Sequence, residues 1–499
     1  MLFRFTFRYS RRAILRSNDV SPCYQNRLYR FTTINISPSH ISAVATMSAH
    51  PAARTQILPV EPAEIGHIEP VEAPVIHGQP HAWIEDWELK LSDSESAKHL
   101  MQAANKIRQE DLPVAFPTET VYGLGADATR SAAVKSIFAA KQRPADNPLI
   151  VHFASIKQLR HLLRGNNAEA QSEDPIPSIY QPLIHSFWPG PLTILLQLPS
   201  PSPLAPEVTA GLHTFGARIP ASPIALALIR LADVPVAAPS ANASTRPSPT
   251  TAEHVAQDLD GRLEIILDGG PCDVGVESTV VDGLVSPPVI LRPGGIGVEQ
   301  LRKCSGWENV RVAYEDKAQK SNDIPKAPGM KYKHYSPRAK VVLHEEKSSP
   351  PTFTEIARIS QWEKVGFVRT RRWREYPLFS DSVKHQNGGV MSATEKSPNG
   401  SFDFKSNPSY LPAAVCQYTL KSHVVTIYDE ATGSQITAIV VDLGPDAKDV
   451  ARGLFSALRE LDSRGVSAIF VEGIADSEGD VAAAVMNRLR KAAEVNVHE

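Results

Sequence analysis

The chain has 499 residues, with 52 Lys+Arg against 54 Asp+Glu, and this net charge of −2 excludes a global basic footprint for nucleic acid. Hydrophobic residues make up 42%, enough for a real core, while 41 prolines point to irregular stretches between its elements. Cys23, Cys272, Cys304 and Cys416 lie far apart with no C-x-x-C pair, which excludes a disulfide scaffold and a cysteine zinc site, and no run approaches the ~20 apolar residues of a bilayer span.

Residues 1–46 carry Arg4, Arg8, Arg11, Arg12, Arg16, Arg27 and Arg30, many serines, no lysine and one acid, Asp19. That composition is typical of a mitochondrial targeting segment, and helical spacing puts Phe3, Phe7 and Leu15 near one side. Met47 offers a second start, for a cytoplasmic product. Residues 47–90 are Pro/Glu/His-rich without periodicity and read as a disordered linker.

A first domain is expected over 91–305. Its opening helix is capped within Ser92–Ser96 and carries Leu100, Met101, Ala104 and Ile107 at helical spacing. Strands follow at 112–116, 149–153, 192–198, 214–219, 234–238, 265–267, 278–281 and 289–291, with a helix at 132–140. Helix-linked and short-loop-linked strands together favour a mixed sheet over a purely parallel one. Residues 306–338 read as an interdomain linker. A smaller α/β domain over 339–495 has strands at 341–344, 366–369, 424–428, 436–443 and 468–471, and amphipathic helices at 446–461 and 481–492. A polar insertion of about 380–408 interrupts it.

No Gly-Lys dipeptide occurs, so there is no P-loop, and His-Glu-x-x-His and Gly-x-Ser-x-Gly are missing too. Gly123-Leu-Gly-Ala-Asp-Ala128 mimics a dinucleotide fingerprint but lacks the acidic residue ~20 positions on. What remains is a series of polar segments at strand ends. Pro117–Gly125 combines small hydroxyls with a glycine turn. Lys141, Arg143 and Asn147 follow a helix that Pro144 ends, and two cations there suit a polyphosphate clamp. Thr214, Gly216 and Arg218 share one strand face, unsuited to packing and suited to an anion. Ala238–Ser244, Glu277-Ser278-Thr279 and Leu291–Gly295 add hydroxyls and Arg292. Several such segments together describe one anion-binding cleft.

In this order, PTETVYGLG, KQRPADNPLIVH, TFGARIP, PSANAS, ESTVVD and LRPGG resemble the YrdC-like domain of threonylcarbamoyl-adenylate synthases. Ala327–Pro337 (APGMKYKHYSP) is similar to the linker of the family's two-domain form. Thr245 departs from the pattern, standing where the family usually has glycine. The resemblance implies a YrdC-like open twisted mixed sheet with helices, followed by a smaller Rossmann-like α/β domain. It also implies that L-threonine, bicarbonate and ATP react to threonylcarbamoyl-AMP and pyrophosphate, with Mg2+ on the phosphates. The product then goes to a separate tRNA threonylcarbamoyl transferase. By the same resemblance, L-threonine contacts Thr120, His152, Arg218, Ala238 and Ser278. ATP contacts Arg143, Asn147, Thr214, Ser240, Ser248 and Arg292, together with Tyr332 or Tyr335, and Lys141 and Arg143 do the catalytic phosphate work. The segment Ala327–Pro337 is expected to close over the site as a lid. A double-stranded-RNA or tRNA-binding module is the alternative, with at most a weak RNA contact given the charge. The expected location is cytoplasmic, with a mitochondrial form from residues 1–46.

Overall fold

The computed structural model describes residues 54–71, 84–144, 146–165, 173–313, 334–361, 363–375, 420–429, 432–479 and 481–498. The targeting segment, Met47, the 380–408 insertion, Tyr332 and the rest of 327–333 therefore lie outside the described residues.

An eleven-stranded sheet runs in the order Gln56–Pro59, Ile265–Asp268, Val114–Pro117, Tyr122–Asp127, Val236–Ala237, Ile150–His152, Thr214–Arg218, Leu192–Gln197, Thr279–Asp282, Val289–Arg292 and Arg311–Val312. Parallel and antiparallel pairs both occur, so the sheet is mixed. Val114–Pro117 is buried throughout and Leu192–Gln197 in all but its last residue, as befits strands inside the sheet. The helix Glu95–Gln109 starts at Ser94, whose side chain accepts the Ala97 amide, and buries Leu100, Ala104 and Ile107.

Two expectations need correction here. Part of the segment read as a disordered linker belongs to this sheet. Gln56–Pro59 pairs in parallel with Ile265–Asp268, and Gly66–Pro70 pairs antiparallel with Trp87–Leu91 in a small sheet of its own. Val60, Ile65, Ile68 and Trp87 are buried, and the Trp87 indole donates to the Ala154 carbonyl at 2.8 Å. A strand this short is stabilised by its neighbours, so its own pattern is too weak to read. The first body also runs past 305. Trp307 is fully buried with its indole on the Ile179 carbonyl at 2.8 Å, and Arg311–Val312 closes the sheet edge.

The second sheet has six strands, ordered Lys421–Tyr428, Gln435–Asp442, Val365–Arg369, Ala468–Glu472, Lys340–His344 and Val495–Val497. All its pairs are parallel except the first, which is antiparallel. Helices Ala447–Ser463 and Ala482–Ala492 cover one face and Phe353–Ser360 the other.

The helix Ala447–Ser463 also presses on the first body. Arg459 holds Asp258 through both nitrogens, at 2.8 and 3.2 Å, and donates to the Pro247 carbonyl. Arg246 bridges Asp258 at 2.7 Å and Asp462 at 2.9 Å. The backbone approach is close. A Cβ at Gly275, where φ is +77°, would stand 2.4 Å from the Arg452 Cα. Val121 and Val276 of the first body join the second body's apolar cluster beside Tyr335 and Phe455. Asp258 is fully buried, so removing its main partner strands a charge. Arg459→Met is expected to cost about 3 kcal/mol in urea unfolding of the full chain, near the lower end for a broken buried pair because Arg246 remains.

Candidate functional site

The parallel strands Ile150–His152 and Thr214–Arg218 pair in a register that sets His152 opposite Arg218 and Ile150 opposite Gly216. Gly216 keeps the face shallow, since a Cβ there would lie 3.0 Å from the Thr193 methyl. At the end of the strand the Arg218 guanidinium is almost wholly buried. Its Nε donates to the Gly190 carbonyl at 3.1 Å, Nη1 to Thr120 Oγ1 at 3.1 Å and Nη2 to Glu119 Oε1 at 2.6 Å. Beside it, burial and then the Arg218 charge push His152 down to about 3, so its imidazole is neutral at pH 7. His152 Nδ1 is buried without a hydrogen-bond partner.

Across the sheet, Ser278 Oγ meets Thr193 Oγ1 at 2.8 Å. Arg292 reaches the same residue, with Nε and Nη2 on the Ser278 carbonyl at 3.1 and 2.9 Å and Nη2 on its hydroxyl at 3.1 Å. Burial lowers Arg292 and Arg143 to about 10 each, which leaves both charged at neutral pH. Arg143 donates weakly to the Asn147 and Pro148 carbonyls, and Asn147 Oδ1 is buried without a partner.

Lys141 is buried, with its Nζ among protein oxygens. It donates to the Ser240 carbonyl, to the Asn242 carbonyl at 2.6 Å and to Asn242 Oδ1 at 3.4 Å. Three protein oxygens thus face Nζ, while burial and then the Arg143 charge hold the amine well below the usual lysine range. Ser240 Oγ donates to Asn242 Oδ1 at 2.6 Å, which fixes the same loop. Three residues further, Thr245 adopts φ +72°, a left-handed value that favours the family's glycine over a β-branched side chain.

Ser248 is fully buried and donates to Glu277 Oε1 at 2.6 Å, while Arg488, from the helix Ala482–Ala492, donates to Glu277 Oε2 at 3.0 Å. Burial alone raises a carboxyl, but Arg488 and Arg292 more than offset it and hold Glu277 down at about 2. Tyr335 stands over this group, its ring centroid 5.8 Å from the Arg488 guanidinium and 5.3 Å from the Phe455 ring, tilted by 30°. Burial and the Glu277 charge push its phenol up to about 12. The neighbouring Ser336 amide is tied to the Thr245 carbonyl at 2.8 Å.

The structure thus gathers Thr120, His152 and Arg218 at one point, Ser278 and Arg292 at a second, and Lys141 and Ser240 at a third. The Ala238 amide donates to the Ile150 carbonyl at 2.9 Å. Thr214 stands half-buried at the far end of its strand, opposite Gln197. Sequence reasoning did not single out Glu119, Glu277 or Arg488. The two acids sit inside motifs that had been read for their hydroxyls, and an arginine in an amphipathic helix gives no sign that it is buried. Among the described residues no three His, Cys, Asp or Glu side chains converge as metal ligands, so the expected Mg2+ has no protein cage here.

Fold and site together define a mixed α/β protein that gathers arginines and small hydroxyls at the ends of its strands. A family model described as "Telomere recombination" matches residues 106–294, and one described as "Threonylcarbamoyl-AMP synthase, C-terminal domain" matches 296–494. The threonylcarbamoyl-AMP synthase of Schizosaccharomyces pombe is 44% identical over 431 residues, covering 82% of this chain and 92% of that one. The enzyme of that name from Pyrococcus abyssi is 40% identical, over 82% of this chain and 95% of its own. The crystal structure of P. abyssi Sua5 complexed with L-threonine superposes with a TM-score of 0.58 at 37% identity, covering 82% of this chain and 98% of that one. The chain belongs to the threonylcarbamoyl-AMP synthase family.

The two low pKa values have signs that can be checked. His152 stays unprotonated in the fold from pH 6.5 to about 3, whereas the unfolded chain takes up the proton, so its contribution to stability falls as pH drops through that window. Glu277 acts in the same direction between about 4.5 and 2. In urea unfolding between pH 5 and 6, His152→Gln is expected to lower the slope of unfolding free energy by up to one proton, or ~1.4 kcal/mol per pH unit.

Proposed function

We infer that this enzyme makes threonylcarbamoyl-AMP from L-threonine, bicarbonate and ATP and releases pyrophosphate, for the threonylcarbamoyladenosine modification of tRNA. The observation that carries the reading is the buried pair Arg218 and Arg292 and the half-buried Arg143, with small hydroxyls around them, in a chain of this family. The threonine carboxylate takes the remaining N–H donors of the Arg218 fork, with Thr120, His152, Ser278 and the Ala238 backbone around the amino acid. Arg143, Arg292, Asn147, Thr214, Ser240 and Ser248 form the nucleotide side, and Tyr335 covers it. Lys141 acts there by holding the Ser240–Asn242 loop.

Chemically, the threonine amine and bicarbonate condense to a carbamate with loss of water. A carbamate oxygen then bonds to the α-phosphorus as its bond to the pyrophosphate oxygen breaks. No enzyme nucleophile is required, because charge neutralisation and alignment lower the barrier. Arg143 and Arg292 retain their charge at neutral pH and so can offset the leaving pyrophosphate. Magnesium belongs to this picture as part of the nucleotide substrate. His334 and Tyr335 end the segment 327–337, which serves as the lid that keeps water from the adenylate. The RNA-binding alternative is not favoured. Lys141, Arg218 and Arg292 are each less than 5% exposed, out of reach of a duplex backbone. We further propose a cytoplasmic enzyme with a mitochondrial form directed by residues 1–46, its product passed to a separate transferase. Among the described residues, no helix is long and apolar enough to cross a membrane.

With ATP, threonine and labelled bicarbonate, mass spectrometry should find the label in an adenylated threonine adduct alongside pyrophosphate. Release of ADP would rule out attack at the α-phosphorus. Arg218→Lys keeps the charge but loses the fork, and calorimetry should show threonine binding weakened by ~1–3 kcal/mol.

A further inference from the structure

An amino acid enters as a zwitterion, and the threonine contacts named above account for only one of its charges. Arg218 answers the carboxylate. Thr120, Ser278 and neutral His152 offer dipoles, and none of these carries the negative charge that an ammonium group selects. The argument here rests on the threonine reading of the site.

Glu119 stands next to the fork. Its Oε1 accepts from Arg218 Nη2 at 2.6 Å, and its side chain is only 10% exposed. The second oxygen, Oε2, is buried and has no hydrogen-bond partner. An unpaired buried carboxylate oxygen is costly, and the same cleft avoids that cost elsewhere. Both oxygens of Glu277 are taken, one by Ser248 and one by Arg488. The backbone around Glu119 is pinned as well. Its carbonyl accepts the Val274 amide at 2.8 Å, the Thr120 carbonyl accepts the Gly275 amide at 3.1 Å, and the Thr120 amide donates to Thr118 Oγ1 at 3.2 Å. The orphaned oxygen is therefore held in a fixed place, one ion pair away from the carboxylate-binding arginine.

We propose that Glu119 Oε2 receives the α-ammonium of the amino-acid substrate, so that the Arg218–Glu119 pair reads both charges of the zwitterion. Glu119 then determines specificity: it selects an α-amino acid over the α-hydroxy acid of the same shape, which offers no cation.

Calorimetry on the full chain with L-threonine and with (2S,3R)-2,3-dihydroxybutyrate tests this, since the second ligand keeps the carboxylate and side chain and replaces the amine. The wild-type chain should prefer threonine at least tenfold. Glu119→Gln should lose at least tenfold in threonine affinity while dihydroxybutyrate changes less than threefold, so the preference disappears. Tighter binding of both ligands would make Glu119 a mere competitor for Arg218 and overturn the proposal. Equal weakening of both would reduce it to a support for Arg218, which also overturns it. If the glutamine variant does not fold, Glu119→Asp retains the charge at a shorter reach, and a threonine preference unchanged from wild type would count against the proposal. A wild-type chain that binds neither ligand would instead overturn the substrate reading itself.

Discussion

A guanidinium can be buried only where acceptors surround it, and three acids supply them along the line where the two bodies meet. Glu119 holds Arg218, Glu277 holds Arg488, and Asp258 holds Arg459. Each pair lies in surroundings of low polarity, where losing one partner costs far more than a surface bridge would. The rest of the site is arranged around them. Ser248 and Ser278 keep their positions because Glu277 and Arg292 do, and the loop after Pro247 keeps its path because Arg459 grips the Pro247 carbonyl.

This arrangement gives the second body a direct part in the cleft. The helix Ala482–Ala492 delivers Arg488 to Glu277, and the same guanidinium donates to the Pro293 carbonyl, next to Arg292. Tyr335 packs into the second body's core on Phe455 while its ring faces Arg488. The first body contributes Val121 and Val276 to that core in return. Val121, inside one signature segment, and Val276, just before another, are thus packing groups for the neighbouring domain. Their role in the site is indirect: they fix the backbone that carries Thr120 and Glu277.

The basic side chains of the cleft also divide by what surrounds them. Lys141 is turned toward the protein, its Nζ directed at the Ser240–Asn242 loop. Arg218 and Arg292 are anchored on backbone carbonyls, which fixes the guanidinium planes. A rigid planar fork is useful for carboxylate and phosphate because little orientation entropy is then lost on binding.

Taken alone, the sequence determined most of the strands and the mixed sheet. It read a glycine turn where the strand Tyr122–Asp127 lies, and it did not show the helices Ile156–Arg164, Pro223–Ala232 and Ala252–Leu259. The features it determined are local. Apolar periodicity and turn chemistry are written within a few residues of one another. It also marked Thr245 as an anomaly, which the left-handed backbone at that position accounts for. What it could not decide is which polar group meets which. The strand Gln56–Pro59 exists because Ile265–Asp268 offers it an edge, and Lys141 serves a loop about a hundred positions away. Glu119, Glu277 and Arg488 are ordinary charged residues in one dimension. Burial and pairing across the fold give each its partner, because the free energy of a charge depends on surroundings that only the tertiary structure assembles.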